Sequence, residues 1–295
     1  MSQKENDSTG NGNKPEVKVA LPEVKRLRAS GPILILAVLF VLGAFLTWYF
    51  TWFGRGLSDA DITNYLTDTK NPRHVQHALL QVQQRMERGD PSARNWYAQV
   101  LTLSSNPEAE FRLTTAWLMG FDNKSDQFHA ALLKLIRDAE PIVRRNAALA
   151  LVRFNDSSGR EELVSVLKPY VVSSSASGQV SSTLRAGSEV SRGTLLARVQ
   201  QSDGKVVEIR SPLPGRIGEI LKSNGSQVNS GEEVLKLNSD EESVWETLRG
   251  LSLVGIASDL EAVKAYESAS TTSDRVKQQA QLTAKAIEGR KEQNY

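Results

Sequence analysis

The strongest constraint on the fold is a duplicated, glycine-punctuated pattern between residues 178 and 237. GQV at 178–180 returns as GRI at 215–217, and GSEVSRG at 187–193 returns as GSQVNSG at 225–231. Between these motifs apolar and polar residues alternate, which is typical of β-strands with one buried face. Each copy is too short to bury a core of its own, so we expect the two halves to pack face to face.

The glycines at the ends of these motifs predict turns with positive φ, and the Val between them is expected to point into the core. This two-fold pattern resembles the biotinyl/lipoyl domain, a flattened barrel-sandwich hybrid made of two such halves. We therefore assign residues 172–238 to an all-β domain of this type. Its second half, from Ser211 to Val228, is most similar to the version in HlyD-type membrane fusion proteins.

The resemblance implies that a carrier domain would present a modified lysine, flanked by Met or acidic residues, in the turn between the halves. Here that turn reads QQSDGK at 200–205, and the hairpin-turn pair Asp203-Gly204 stands where the lysine is expected. Lys205 comes too late and lacks those flanks, so we expect it to be a solvated lysine with no covalent cofactor. Fusion proteins also insert a long coiled-coil hairpin between the halves, and this short turn makes a conventional efflux conduit doubtful.

A second repeat is helical. FRLTTAWL at 111–118 is followed 32 residues later by VRRNAALA at 143–150, and a similar pattern returns as VKQQAQLTA at 276–284. Small residues let neighbouring helices approach closely, and the cation after the first apolar residue can reach carbonyls or an acidic residue of the next repeat. The stretch DAEPIVRRNAALAL at 138–151 resembles a HEAT-like repeat, with an ordinary helical bundle as the alternative.

The helical pattern lies on both sides of the predicted β domain. We assign residues 58–169 to a HEAT-like helical domain and residues 241–290 to further HEAT-like helices, so that the β domain is inserted into a helical array. Ser58 is expected to cap the first of these helices, and Pro72, Pro107 and Pro141 favour helix starts. The predicted fold class is α+β.

An apolar run predicts a membrane anchor. No charge occurs in the 26 residues between Arg28 and Arg55, and residues 32–53 are long enough for a transmembrane helix. Because cations are more frequent before this run than after it, the N-terminus is expected in the cytoplasm, with a disordered tail over residues 1–31. The chain is then a single-pass inner-membrane protein whose later domains are periplasmic.

Composition excludes several kinds of chemistry. With no Cys there is no disulfide, thiolate nucleophile or Cys-type zinc site, and a net charge of +2 argues against a nucleic-acid partner. His74 and His77 are three residues apart on a predicted helix and could face one metal ion, but no third ligand is close in sequence. We therefore predict no metal site and no catalytic residue.

Arginine and aromatic side chains leave two further possibilities. The cluster of Arg144, Arg145, Arg153 and Arg160 is expected to be a solvated face, with binding of an acidic partner or lipid head groups as the alternative. A third functional class, a binding protein for a polymer or small ligand, needs an exposed aromatic patch. Its members would be Trp96, Tyr97 and Trp117.

The sequence favours a non-enzymatic adaptor or scaffold of the cell envelope, with an export or envelope complex as the assembly that it would serve. Its helical concave face and the edges of its β domain would bind an unidentified envelope protein. The bilayer would be a partner through residues 32–53, and self-association stays open. The alternative, of a different class, is a biotin- or lipoyl-type carrier subunit of a membrane-bound enzyme complex.

Overall fold

The computed structural model describes residues 31–48 and 56–293. The chain divides into two compact units, Met1–Arg55 and Gly56–Tyr295. Within the described residues it forms eleven α-helices and eight strands, which bears out the expected mixture of helix and sheet.

The first unit contains helix α1 (Gly31–Trp48), whose 18 residues overlap the predicted membrane segment. Among the helices of the described residues, none is both long and apolar enough to span a membrane. The predicted single-pass helix over residues 32–53, and with it the periplasmic location of the later domains, is therefore wrong. Residues 49–53 and the tail over 1–30 lie outside the described residues.

The second unit contains ten α-helices and all the strands. The helices are α2 (Asp59–Thr67), α3 (Pro72–Glu87), α4 (Tyr97–Leu103), α5 (Ala109–Met119), α6 (Asp126–Leu135), α7 (Pro141–Arg153), α8 (Arg160–Val166), α9 (Glu241–Val254), α10 (Leu260–Ser268) and α11 (Asp274–Gln293). The strands are β1 (Tyr170–Ser173), β2 (Gly178–Ser181), β3 (Glu189–Val190), β4 (Leu195–Gln200), β5 (Val206–Arg210), β6 (Gly215–Ile220), β7 (Gln227–Val228) and β8 (Glu233–Ser239).

Side-chain caps and proline fix several helix starts. Ser58 forms the expected cap: its hydroxyl accepts the Asp61 N–H at 3.1 Å, and the Asp61 carboxylate accepts the Ser58 N–H at 3.3 Å. Pro72 and Pro141 occupy the first turns of α3 and α7, where the missing N–H costs no hydrogen bond. After Asp90 the chain first makes a 3₁₀ turn over Pro91–Trp96, and α4 follows it.

The helices stack in two layers. Helices α3, α5, α7, α9 and α11 pack against one another in that order. The small residues picked out by the repeat are all buried, as close approach of these helices requires. They are Thr115, Ala116, Ala147, Ala148, Ala150, Ala280, Thr283 and Ala284.

Arginines at equivalent positions of α5 and α7 bond to the next helical pair, as the repeat predicted. Arg112 donates to the Pro107 carbonyl at 2.7 Å and to the Asp138 carboxylate at 2.7 Å. Arg144 donates to the Asp138 carbonyl at 2.8 Å and to Glu162 at 2.9 Å. These bonds link α5 to the start of α7, and α7 to α8.

The strands form two four-stranded antiparallel sheets that enclose one core. The strand orders are β1-β8-β6-β3 and β5-β4-β2-β7. Strands β1 to β4 of the first half correspond to β5 to β8 of the second half. When every strand is exchanged for its counterpart, the order of the first sheet becomes the order of the second. The core contains equivalent apolar residues from both halves, including the pairs Val180 with Ile217 and Val190 with Val228.

The chain enters the β domain through β1 and returns to the helical part through β8, and these two strands are neighbours in one sheet. In β1 and β8, Tyr170 lies opposite Leu237. At this junction the Ser239 hydroxyl donates to the Val166 carbonyl at 2.8 Å, and the Tyr266 hydroxyl donates to the Leu167 carbonyl at 3.2 Å. Helices α8 and α9 pack directly on each other, so the helical layers continue past the β domain.

Candidate functional site: the hairpin between the two β halves

The two halves of the β domain share their turn geometry. The predicted turn glycines all have positive φ, between 82° and 87° at Gly187, Gly193, Gly225 and Gly231. The N–H of Gly187 donates to the Ile217 carbonyl, and that of Gly225 donates to the Val180 carbonyl, both at 2.7 Å. The two halves share one core, but each sheet contains two strands from each half, so the halves interleave and do not pack face to face as separate units.

Buried serines occupy equivalent places at the ends of β1 and β5. The Ser174 hydroxyl donates to the Ala176 carbonyl at 2.6 Å, and the Ser211 hydroxyl donates to the Leu213 carbonyl at 2.6 Å. Both serines are 2% exposed. The backbone carbonyls of Ser174 and Ser211 accept the N–H groups of Gly231 and Gly193, each at 2.7 Å. Each serine thus ties its turn to the other half of the domain.

Sequence reasoning did not find these serines. Ser174 and Ser211 stand 37 residues apart, and the offset between matching positions of the two halves is 37 or 38. Extending the alignment of the two halves toward the N-terminus would have paired them. Serine is usually exposed, so only that alignment carried a signal.

The hairpin joining β4 to β5 is the place where the family presents its lysine. The turn closes through the Gln201 N–H, which donates to the Lys205 carbonyl at 2.8 Å, and the Gly204 N–H, which donates to the Gln201 carbonyl at 3.0 Å. Gly204 has φ +84°, as the Asp-Gly turn requires. Lys205 is thus the last residue of the turn, and its backbone closes the hairpin.

Asp203 contacts both the backbone and the side chain of Lys205. Its carboxylate accepts the Lys205 backbone N–H at 3.0 Å and lies 3.0 Å from Lys205 Nζ. The backbone hydrogen bond from Lys205, followed by the side-chain contact, lowers the pKa of Asp203 below its usual value. The Lys205 side chain is 78% exposed. In a carrier domain the modified lysine would be presented at the tip of this turn. Lys205 instead follows the tip, and its ammonium is paired with Asp203.

Residues 166–237 match a family model described as "Biotin-requiring enzyme". This match and the two-sheet geometry agree, and the chain contains a biotinyl/lipoyl domain over these residues. No curated protein matches the chain.

His74 and His77 lie on the same side of α3 but have separate partners. His74 Nδ1 is 2.8 Å from Asp68 Oδ2, and its ring stacks on Tyr65 with centroids 4.2 Å apart. His77 Nε2 lies 3.5 Å from the Gln81 amide nitrogen, and burial, with a smaller effect of His74, lowers the pKa of His77. In the part of the chain that the structure describes, no group of three His, Asp or Glu side chains could hold a metal ion.

The four arginines of the predicted cluster have different surroundings. Arg144 is paired with Glu162, and Arg160 donates to Asp259 at 2.5 Å. Arg145 is 5% exposed, and its Nε and Nη1 atoms have no hydrogen-bond partner. Burial lowers the pKa of Arg145, and the nearby charge of Glu162 opposes this effect. Of these four arginines, only Arg153 is both exposed and without an ion pair to another described residue.

The aromatic residues proposed for a polymer-binding patch do not form one. Trp96 is 2% exposed and belongs to the helical core, where its indole N–H donates to the Thr63 hydroxyl at 3.0 Å. Tyr97 packs on Phe128 with ring centroids 4.2 Å apart and donates to Asp122 at 2.8 Å. Burial raises the pKa of Tyr97, and its bond to Asp122 adds to this. The polymer-binding interpretation has lost its support.

Proposed function

We propose that this chain is a non-enzymatic scaffold or adaptor in which the biotinyl/lipoyl domain is a rigid protein-binding module without an attached cofactor. The observation that carries the proposal is the β4–β5 turn. Ser202 and Asp203 are the central residues of this turn, and Lys205 lies at its base, where its backbone bonds to Gln201 and to the Asp203 carboxylate.

The helical part supports the same proposal. We propose that it is a HEAT-like array, because Arg112 and Arg144 link successive helical pairs and the repeated small residues are buried. Stacked repeats offer extended surfaces to which other proteins bind. We propose a protein partner for this surface and for the open sheet edges formed by β3 and β7.

The similarity of the second β half to HlyD-type proteins fits an adaptor better than a conduit. The connection between the halves runs from Gln200 to Val206 and leaves no room for a coiled-coil hairpin. The β domain would therefore bind its partner through its own surface.

A carrier function is the second candidate, and one observation favours it. Lys205 lies in the hairpin between the halves, and its side chain is 78% exposed, so a ligase could reach it. In that case biotin or lipoate would be joined to Nζ by an amide bond.

Mass spectrometry of the intact full-length protein, purified from its native cells, distinguishes the two candidates. The scaffold proposal expects the unmodified mass and no labelling of the protein by purified biotin or lipoate ligase. A mass increase that disappears in Lys205→Arg would establish the carrier function instead. Crosslinking in intact cells, followed by identification of the attached protein, then tests for a partner.

A further inference from the structure

Guanidinium groups stack on aromatic rings along α5, α7 and α9. Arg153 Cζ lies 4.7 Å from the centre of the Trp117 ring and 4.6 Å from that of Phe121. Arg249 Cζ lies 4.8 Å from the centre of the Trp245 ring. We call these five residues the arginine–aromatic surface.

The two arginine–ring clusters lie on neighbouring helices, because α5 packs on α7 and α7 packs on α9. At the end of α5, Gly120 lets α7 approach so closely that a Cβ there would lie 3.3 Å from the Arg153 side chain. Partial burial lowers the pKa of Arg153, and the charges of Glu246 and Arg249 act on it next. Arg249 thus acts electrostatically on Arg153 from the helix packed beside it.

Among the described residues, the side chains of Arg153 and Arg249 donate no hydrogen bond. A guanidinium lying on a ring keeps its N–H groups in its own plane, where they can bind a planar carboxylate. Over residues 56–293 neither Arg153 nor Arg249 has a carboxylate within ion-pair distance. Arg275, also stacked on Trp245, differs in this respect, because it is paired with Glu242 at 2.7 Å.

Glu246 limits which anion this surface accepts. It is half-buried, and burial, together with the charge of Glu242, raises its pKa, while Arg153 and Arg249 oppose the rise. Glu87 also acts on Arg153 from the end of α3. Beside these two carboxylates a dianionic phosphate would be repelled more strongly than single carboxylates carried by a peptide.

We propose that the arginine–aromatic surface binds an acidic peptide segment of a partner protein. Two carboxylates of the segment would accept hydrogen bonds from Arg153 and Arg249, and its apolar side chains would contact Trp117 and Trp245. Trp and Arg are the residue types that most often carry the binding energy of protein interfaces. This inference rests on the proposed scaffold function and names the partner's chemistry.

Fluorescence anisotropy with the full-length protein tests the inference. The probe is a fluorescein-labelled peptide, Glu-Glu-Leu-Glu-Glu-Leu, and the same peptide with Gln at every Glu position is the control ligand. We expect binding of the acidic peptide only. The double variant Arg153→Gln, Arg249→Gln should weaken it about tenfold or more, because two charge-assisted hydrogen bonds are lost.

The matched control variant is Arg137→Gln. Arg137 follows α6, is exposed and has no ion pair within residues 56–293, so this change removes one charge away from the surface. We expect it to alter the affinity by less than about twofold. If the double variant unfolds, Trp117→Leu and Arg249→Gln are measured singly, and each should still weaken binding.

Three results would overturn the inference. They are no binding of the acidic peptide by the unaltered protein, equal binding by a folded double variant, and displacement of the peptide by millimolar inorganic phosphate. None of these results depends on whether Lys205 is modified. The scaffold proposal would therefore still stand if the acidic-peptide proposal failed.

Discussion

The serines Ser174 and Ser211 show how single side chains hold the two β halves together. Each hydroxyl satisfies a buried backbone carbonyl two residues later, and that of Ser174 also accepts the Ala176 N–H at 3.2 Å. A buried polar group left without a partner costs more than an ordinary hydrogen bond gains. The turns should therefore be sensitive to loss of these hydroxyls although alanine would fit the space.

Ser174→Ala is predicted to lower the free energy of unfolding by about 1–3 kcal/mol, because the backbone groups of Ala176 stay buried without a partner. Urea denaturation of the full-length protein measures the change. Ser175→Ala, at the exposed neighbouring position, should change the value by less than about 0.5 kcal/mol. An equally small effect at both positions would contradict the role given to Ser174.

Among single residues, the sequence predicted those whose backbone geometry excludes other residue types. It missed residues whose role depends on their surroundings in the folded structure. The turn glycines were found because positive φ excludes most other residues. By contrast, nothing near Arg153 in the sequence indicates that it lies on two rings.

At the scale of the element, the bond from Arg112 to Asp138 links α5 to the start of α7. Its two N–H···O contacts measure 2.7 and 2.9 Å, and the side chains are 15% and 8% exposed. The bond from Arg112 is the main reason that the pKa of Asp138 lies below its usual value. A group with a lowered folded-state pKa stabilises the protein above its unfolded pKa and loses this effect as the pH falls through the folded value.

Arg112→Ala is predicted to destabilise the protein by about 3 kcal/mol at neutral pH, because the buried Asp138 carboxylate is left without its partner. The difference from the unaltered protein should shrink below about pH 4, where Asp138 takes up a proton. Urea denaturation at pH 7 and pH 3 measures both effects.

The control for this prediction is Arg216→Ala, which breaks the exposed pair with Glu189. Its cost should stay below about 1 kcal/mol at either pH. A difference for Arg112→Ala that does not change with pH would show that packing, and not the charge on Asp138, explains the loss.

Most helices were predictable because proline, capping residues and apolar periodicity all act locally. The start of α4 is less predictable, since Pro91–Trp96 forms a 3₁₀ turn before it. The membrane interpretation failed for a different reason: it rested on composition alone, whereas a span needs a helix that is both long and apolar, and the described residues contain none.

For the whole molecule, the main feature is a β domain set within a continuous helical stack. Residues on both sides of it share one apolar core, which includes Leu163 before the domain and Leu248 after it. The ion pair of Arg160 with Asp259 joins the same two parts at 2.5 Å. The helical part therefore does not need the β domain to bring α8 and α9 together.

Replacing residues 170–239 by a short Gly-Ser linker is predicted to leave a folded helical protein. The two ends to be joined lie on neighbouring strands, which are about 4.8 Å apart in a sheet. Circular dichroism should keep the helical signal, and thermal unfolding should stay cooperative. The linker variant combined with Asp259→Ala should unfold at a lower temperature, and loss of all cooperative unfolding in the linker variant alone would refute this view.

The matching halves of the β domain have a consequence for chain connectivity. The β4–β5 turn and the place where β1 and β8 meet are equivalent under the internal two-fold relation. Cutting the chain at Gly204 while joining Ser239 to Tyr170 would therefore give a circular permutant with the same two sheets. In such a permutant the end of the domain that now adjoins the helices would become the free hairpin.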